Sequence, residues 1–118
     1  MDDAGDGWVR AAPLADVPEG EPVAITVGDE DLLLYRRGEQ LFAIGNRCTH
    51  QGAQLHDGPV KSFGSIVAVT CPAHGSMFSL HDGRVMRGPA MRPVAAYEAR
   101  VREDQVEVRP AAASGTDA

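Results

Sequence analysis

The 118-residue chain is poor in cysteine, has no long hydrophobic run and carries no basic excess, and each absence excludes a class of protein. Its 2 cysteines are too few for a disulfide framework, and they cannot by themselves supply four thiolates to a metal. No segment approaches the roughly 18 consecutive apolar residues of a transmembrane helix. A formal net charge of −6 makes the chain a poor candidate for binding nucleic acid.

The N-terminal sequence MDDAGDGW also lacks the basic start and apolar stretch of a secretory signal peptide, so we expect a cytoplasmic protein. In a reducing cytosol, the two cysteines are better explained as metal ligands or free thiols than as a disulfide. What the chain does have is an ordinary globular composition, 43% hydrophobic and 24% charged. Its length fits one domain and is sufficient for a hydrophobic core.

Short β-prone runs separated by turn signals dominate the sequence. We expect strands over Trp8–Arg10, Pro22–Val27, Leu32–Arg36, Leu41–Ile44, Ile66–Thr70, Met77–Leu80, Arg84–Met86, Tyr97–Arg102 and Val106–Arg109. A short turn of helix is expected at Ala15–Val17. Many short strands at close spacing indicate an all-β sandwich or barrel.

The middle of the chain differs from its flanks in composition. Residues 45–93 hold both cysteines, all four histidines and most of the glycine and proline punctuation, so we expect a loop-rich insertion in an acidic β base. Residues 1–44 carry ten acidic and three basic side chains, whereas residues 45–95 carry two acidic and five basic ones. The sequence therefore predicts one domain over residues 1–109, followed by a disordered tail of small residues at 110–118.

Two short motifs carry the candidate chemistry. Cys48-Thr49-His50 is followed by Gly52, and Cys71-Pro72-Ala73-His74 is followed by Gly75. These short separations allow one thiolate and one imidazole from each loop to reach adjacent metal positions. A glycine near each pair lets the backbone fold closely around an inorganic group. The candidate metal ligands are therefore Cys48, His50, Cys71 and His74.

Zinc and a two-iron cluster both accept two cysteines and two histidines. Zinc fingers group the cysteines together and the histidines together, on a hairpin and a helix. Each loop of this chain mixes the two ligand types instead, and no helix carrying ligands is evident. This arrangement suits a [2Fe-2S] cluster better, because one loop can place sulfur on one iron and nitrogen on the other. A zinc-bound structural or interaction module is the alternative.

The stretches CTHQGA and CPAHGSMF resemble the Rieske signature, a C-x-H with a downstream C-x-x-H-G. The resemblance implies an antiparallel β-sandwich base domain with an inserted cluster-binding subdomain and one [2Fe-2S] cluster. It also implies that Cys48 and Cys71 ligate the inner iron, and that His50 and His74 ligate the outer, more exposed iron. The stretch GPAMRP at residues 88–93 resembles the family's proline loop, which covers the cluster.

Two departures from the mitochondrial-type members of this family predict a low reduction potential. Those members carry an additional, disulfide-forming cysteine in each loop, where this chain has Ala53 and Ala73. They also place a serine and a tyrosine after the second histidine to hydrogen-bond the cluster sulfurs. Ser76 is present here, but Phe78 replaces the tyrosine. Because a lost hydrogen bond to sulfur leaves the reduced cluster less stable, we expect a potential low in the Rieske range of about −150 to +300 mV.

Two further expectations concern the residues around the motifs. His56 and His81 lie beside Asp-Gly turns outside both motifs, and we expect them to be solvated. The 20 residues between His50 and Cys71 are a few more than the family usually has, and we expect the excess to lengthen a hairpin turn near Lys61–Ser65.

Docking to a partner is a second possible role for the basic side chains of the middle region. These basic side chains either form a solvated surface or help to dock a partner near the cluster. The residues are Arg47, Lys61, Arg84, Arg87 and Arg92. Met91 offers either an apolar contact at the same surface or simple packing.

The resemblance implies a small Rieske ferredoxin, a one-electron shuttle rather than an enzyme. By resemblance, such chains take electrons from an NAD(P)H-dependent flavoprotein reductase and pass them to the terminal oxygenase of an aromatic-ring-hydroxylating dioxygenase system. We expect a monomer that binds neither a membrane nor nucleic acid. We expect electrons to leave through His50 and His74, framed by Gln51, Gly52, Ala73 and Gly75.

Two other members of the same fold family are possible. The small subunit of an assimilatory nitrite reductase shares the fold, and some of these subunits lack the cluster ligands that this chain has. The missing membrane anchor and the missing disulfide argue against a subunit of a respiratory cytochrome complex.

Overall fold

The computed structural model describes residues 7–50 and 52–110. Within these residues, ten β-strands and two short 3₁₀ helices occur. The strands are β1 (Val9–Pro13), β2 (Val23–Val27), β3 (Glu30–Arg37), β4 (Gln40–Gly45), β5 (Val60–Phe63), β6 (Ile66–Thr70), β7 (Met77–Ser79), β8 (Val85–Arg87), β9 (Ala96–Arg102) and β10 (Gln105–Pro110). The 3₁₀ helices cover Leu14–Asp16, one residue from the predicted helical turn, and Leu55–Asp57.

The strands form two antiparallel sheets, which confirms the predicted all-β class. The larger sheet has six strands in the order β1-β10-β9-β4-β3-β2, and the smaller sheet has four in the order β5-β6-β7-β8. Only residues from the middle of the chain enter the smaller sheet, whereas the larger one combines strands from both ends. The Gly45 N–H donates to the Ala95 carbonyl at 2.9 Å. The inserted segment therefore leaves the larger sheet and returns to it at neighbouring residues.

The central strands β3 and β4 are buried on both faces, which explains their uninterrupted apolar runs. Leu33 and Ile44 pack in one core with side chains of the smaller sheet. Leu32, Leu34 and Ala43 point the other way, into a second core within the larger sheet. Successive side chains of a strand point to opposite faces of the sheet, so a strand with one buried face alternates apolar and polar residues. A strand buried on both faces is apolar throughout and lacks that two-residue alternation.

The strand β5 was not predicted, and the expected long turn near Lys61–Ser65 is wrong. Lys61 and Phe63 pair with β6, with Phe63 opposite Ile66. Only two residues, Gly64 and Ser65, remain for the turn between them, and Gly64 takes a left-handed φ of 66°. The additional residues therefore extend a hairpin, whose exposed side chains in β5 gave no hydrophobic alternation to recognise.

The last strand carries the base domain to Pro110, which pairs with Tyr97. Pro110 was predicted as the first residue of the tail, and the rest of that predicted tail, residues 111–118, lies outside the described residues. Among the described residues, no helix combines the length and the hydrophobicity needed to cross a membrane.

Candidate metal centre

The first motif lies in a loop that follows β4 and closes on itself through backbone hydrogen bonds. In this first ligand loop, residues 48–53, the Cys48 N–H donates to the Ala53 carbonyl at 2.8 Å. The Gly52 N–H donates to the Cys48 carbonyl at 2.7 Å. Gly52 has a φ of 77°, in the left-handed region where a side chain would be strained. The cysteine at the start of the loop is thereby held by two bonds.

The second motif repeats this arrangement after β6. In the second ligand loop, residues 71–76, the Cys71 N–H donates to the Ser76 carbonyl at 2.7 Å and the Gly75 N–H donates to the Cys71 carbonyl at 3.1 Å. Gly75 has a φ of 83°. The two ligand loops are therefore matching six-residue rings, each beginning with cysteine and each with glycine in the fifth position.

The cysteines and the histidines occupy opposite environments. Cys48 and Cys71 are each 3% exposed and belong to the core between the two sheets, and neither forms a disulfide. His50 and His74 are exposed to solvent. The histidine is third in one ring and fourth in the other, and the two imidazole planes meet at 89°. The cysteine side of the site is therefore buried away from water, and the histidine side faces solvent.

The spacing of the two imidazoles suits ligation of one metal. Their ring centroids are 5.2 Å apart. Two imidazoles bound to one tetrahedral metal, with metal–nitrogen bonds of about 2.1 Å, place their centroids about 5 Å apart. Within the described chain, no three histidine, cysteine or carboxylate side chains gather closely enough to hold a single ion. A two-iron cluster needs no such triple, because each iron takes only two protein ligands in addition to the bridging sulfides.

The proline loop, residues 88–93, is tied to both ligand loops. The Thr49 hydroxyl donates to the Arg92 carbonyl at 2.6 Å, and the Ala90 N–H donates to the Ser76 hydroxyl oxygen at 2.9 Å. Ala90 is buried, whereas its neighbour Met91 is almost entirely exposed. The two ligand loops and the proline loop are therefore joined into one hydrogen-bonded unit around the two histidines.

Of the two positions that hydrogen-bond the cluster sulfurs in mitochondrial-type members, one carries a hydroxyl in this chain and the other does not. Ser76 is fully buried, and its oxygen already accepts from the Ala90 N–H. That bond leaves the hydroxyl hydrogen of Ser76 uncommitted, since a hydroxyl is both donor and acceptor. Phe78 is fully buried in the core and carries no donor.

The expectation of a solvated turn histidine is confirmed for His81, which is exposed, and is wrong for His56, whose side chain is only 25% exposed. Both lie in or beside turns, but the His81 Nε2 accepts the Val67 N–H at 3.2 Å, and the His81 ring meets Phe42 edge-on at 5.0 Å. His56 binds the buried side chain of Asn46, whose Oδ1 accepts the His56 N–H at 2.8 Å. The Asn46 Nδ2 lies 3.0 Å from the His56 Nδ1. The His81 ring therefore binds backbone, and the His56 ring binds a buried side chain.

Asn46 and Thr49 are residues near the site that sequence reasoning missed. Asn46 precedes Cys48 by two residues, and its amide contacts His56, ten positions further along the chain. Thr49 contacts a carbonyl 43 positions away. A lone asparagine just before a C-x-H motif was the available signal for Asn46, whereas nothing local marks Thr49 as the tether of the proline loop.

Of the basic residues proposed for docking, two are already engaged. Arg47 forms an ion pair with Asp31 at 3.1 Å, and Arg84 lies 4.0 Å from Asp82. Lys61 belongs to β5, at the hairpin that turns away from the ligand loops. Exposed cations at the proline loop itself are therefore Arg87, at the end of β8, and Arg92.

A family model and two relatives match most of the chain. The model of the Rieske [2Fe-2S] domain matches residues 7–98. The ferredoxin component of the naphthalene 1,2-dioxygenase system of Pseudomonas aeruginosa is 28% identical over 101 residues, which is 86% of this chain and 93% of the relative. The anthranilate 1,2-dioxygenase ferredoxin subunit of Burkholderia cepacia is 31% identical over 86% of this chain and 90% of its own length.

Solved structures extend the comparison. The ferredoxin of carbazole 1,9a-dioxygenase from Nocardioides aromaticivorans IC177 matches with a TM-score of 0.79 and 30% identity, over 88% of this chain and 98% of that one. A chain from a complex of reduced oxygenase and oxidized ferredoxin in carbazole 1,9a-dioxygenase matches with a TM-score of 0.72 and 30% identity, over 87% and 93%. A protein described as the small subunit of an NADH-dependent nitrite reductase from Mycobacterium tuberculosis matches with a TM-score of 0.76 and 28% identity, over 89% of this chain and 96% of that one.

Proposed function

Since this chain belongs to the Rieske [2Fe-2S] domain family, we propose that it is the ferredoxin component of an aromatic-ring dioxygenase system. It takes single electrons from an NAD(P)H-dependent flavoprotein reductase and delivers them to a terminal oxygenase. When bound, its one [2Fe-2S] cluster supplies reversible one-electron oxidation and reduction. Like the ferredoxins that it resembles, the protein is an electron-transfer component and not a catalytic subunit.

The observation that carries this proposal is the pairing of two buried cysteines with two exposed histidines on matching loops. In this proposal Cys48 and Cys71 hold the inner iron, and His50 and His74 hold the outer iron. Burial of the thiolates keeps water from the sulfur side. Exposure of the imidazoles brings the outer iron within reach of a partner. Electrons therefore enter and leave at the histidine edge, which Gly52, Ala73 and Gly75 frame; Gln51, the fourth residue expected there, lies outside the described residues.

The low potential predicted from the sequence stays part of the proposal. Of the two positions that supply hydrogen-bond donors in the mitochondrial type, only Ser76 carries a hydroxyl, because Phe78 has none and is enclosed by the core. We expect a potential near the lower end of the Rieske range, about −150 mV. Voltammetry that returns a value near the upper end, about +300 mV, would contradict this assignment.

The ligand assignment is tested by removing each candidate in turn. We expect Cys48→Ser, Cys71→Ser, His50→Ala and His74→Ala to lose iron, red-brown colour and the rhombic paramagnetic signal of the reduced protein. A matched control is His81→Gln, which keeps an acceptor for the Val67 N–H and should keep about two irons per chain. Wild-type protein that is colourless and binds zinc would refute the cluster assignment.

Electron transfer is tested by reconstitution. Purified, cluster-loaded protein is mixed with NADH, a flavoprotein reductase and an oxygenase from the naphthalene or carbazole systems, and reduction of the oxygenase is followed optically. We expect reduction to require this protein. The nitrite reductase alternative is supported by the match to the Mycobacterium tuberculosis subunit. It would be favoured by a stable complex with a nitrite reductase catalytic subunit together with no transfer to any oxygenase.

The proposal also includes a cytoplasmic location and a monomeric state. A shuttle that must leave each partner quickly needs a small contact surface. The single domain predicted over residues 1–109, with the cluster-binding part at about 45–93, is consistent with this role because the proline loop is bonded to both ligand loops. Size-exclusion chromatography with light scattering tests the monomer, and an apparent mass of twice 12.5 kDa would contradict it.

A further inference from the structure

Met91 is an unusually exposed hydrophobic side chain for a position so close to the candidate cluster. It is 91% exposed, whereas the other large hydrophobic residues at the surface of the described chain do not exceed 50%. Its chain neighbour Ala90 is buried at 3%. A single exposed apolar residue is common at protein surfaces, so what distinguishes Met91 is its place in a loop bonded to both ligand loops.

The backbone on both sides of Met91 is fixed. Ala90 is bound to Ser76 on the second ligand loop at 2.9 Å, and Arg92 is bound to Thr49 on the first ligand loop at 2.6 Å. Met91 therefore projects from a loop that two tethers hold, one to each ligand loop. A partner that binds it does not have to order the loop first, which lowers the cost of binding.

The charge on either side of Met91 in the chain is positive. Arg87 ends β8 immediately before the proline loop, and Arg92 follows Met91 within the loop; both side chains are exposed. Among the described residues, neither arginine has a side-chain hydrogen bond or ion-pair partner, in contrast to Arg47 and Arg84. Because the chain as a whole is acidic, this basic segment gives the molecule a defined orientation in the field of an acidic partner.

We propose that Met91, Arg87 and Arg92 form the docking surface for the terminal oxygenase, with Met91 entering an apolar socket that acidic side chains surround. This inference rests on the proposed function and deepens it. The tethers place this surface beside His50 and His74, so docking there brings the oxygenase to the histidine edge. One electron then leaves the reduced ferredoxin and enters the oxidised oxygenase. A match to a ferredoxin chain seen in complex with an oxygenase supports this choice of partner.

The test uses cluster-loaded protein and a panel of terminal oxygenases from the naphthalene, anthranilate, phenylpropionate and carbazole systems. The oxygenase that the wild-type protein reduces fastest becomes the probe. The dissociation constant is measured by calorimetry, and the rate of oxygenase reduction by stopped flow after dithionite reduction of the ferredoxin. The rate at which a flavoprotein reductase reduces the ferredoxin is measured in parallel.

We expect Met91→Gln to raise the dissociation constant about tenfold, because glutamine is similar in length but loses the burial of an apolar side chain. We expect Arg87→Gln and Arg92→Gln each to raise it roughly threefold at low salt and to flatten its dependence on ionic strength. The matched controls are Phe63→Gln and Lys61→Gln, which remove an exposed hydrophobic residue and an exposed cation from β5. Both should stay within about twofold of the wild type.

All of the substituted side chains are exposed at the surface. An unchanged visible spectrum verifies that each variant retains its cluster. An unchanged dissociation constant in Met91→Gln would overturn the docking surface, as would a defect confined to reduction by the reductase. Controls that weaken binding as much as the variants would also overturn it. A wild-type protein that reduces none of the oxygenases would instead contradict the proposed function, so the two failures are distinct.

Discussion

Replacement of Asn46 by leucine removes a contact on which the first ligand loop depends. Asn46 is 1% exposed, and its Oδ1 accepts the His56 N–H at 2.8 Å. Its Nδ2 can only donate, so the His56 Nδ1 at 3.0 Å acts as the acceptor. Leucine has a similar volume but forms neither bond. The Asn46→Leu variant therefore separates the polar role of this side chain from its packing role.

The size of the effect follows from the number of bonds and from their burial. Each hydrogen bond contributes about 1 kcal/mol to stability, and a half-buried N–H left unpaired adds about 1 kcal/mol to the loss. We therefore expect a loss of about 3 kcal/mol. For a domain of this length, that corresponds to a decrease of about 10 °C in the unfolding temperature.

The assay follows the loaded protein on heating, with circular dichroism reporting the sheets and visible absorption reporting the cluster. Both transitions should move to lower temperature, and absorption at constant temperature should decay faster than in the wild type, because Cys48 lies two residues from the change. Gln54→Leu is the matched control. It makes the same change from amide to leucine in an exposed side chain of the same segment, and it should alter stability by less than about 0.5 kcal/mol.

An Asn46→Leu variant that unfolds within about 2 °C of the wild type would refute the reasoning, since such a shift is less than the contribution of one hydrogen bond. A variant that loses stability but releases its cluster at the wild-type rate would show that the asparagine stabilises the fold without holding the ligand loop.

Three other changes have directions that the structure fixes. Gly58→Ala places a methyl group against the carbonyl of Thr70, the residue before the second ligand loop, so we expect an iron assay to show lower cluster occupancy. Gly45→Ala is the control, because its added methyl group meets its neighbours at ordinary van der Waals distances. Ser76→Ala removes the bond to the proline loop and the remaining donor near the site, so voltammetry should show a lower potential. Burial, and to a smaller extent a nearby carboxylate, raises the pKa of Tyr97 above 10.0, so the unfolded chain loses this proton at lower pH than the native protein. Stability should therefore fall as the pH rises beyond about 10, and Tyr97→Phe should reduce that loss in urea titrations at alkaline pH.

Strands whose sequence shows their burial could be predicted, and one without such a signal could not. The apolar runs of β3 and β4 and the β-branched run of β6 are local properties, and the strands occur where those runs do. β5 reads VKSF and leaves three of its four side chains exposed. Its position is set by pairing with β6, which is a tertiary contact that the composition of the segment does not encode.

The candidate ligands were visible because their spacing is local, whereas the contacts that hold them are not. Cys48 and His50, like Cys71 and His74, are separated by a few residues, so one sequence is enough to find them. The contact from Asn46 to His56 spans ten residues, and the one from Thr49 to Arg92 spans 43. A single sequence carries no measure of which distant side chains meet, so the two histidines outside the motifs were assigned to solvent.

Because each ligand loop closes through its own backbone hydrogen bonds, the far turn of the hairpin between them lies apart from the site. Each ring closes within six residues, and the intervening hairpin turns at Gly64 and Ser65, at the end of β6 opposite to Cys71. That turn is consequently a place to insert a peptide tag or a fluorophore for tracking the carrier between its partners.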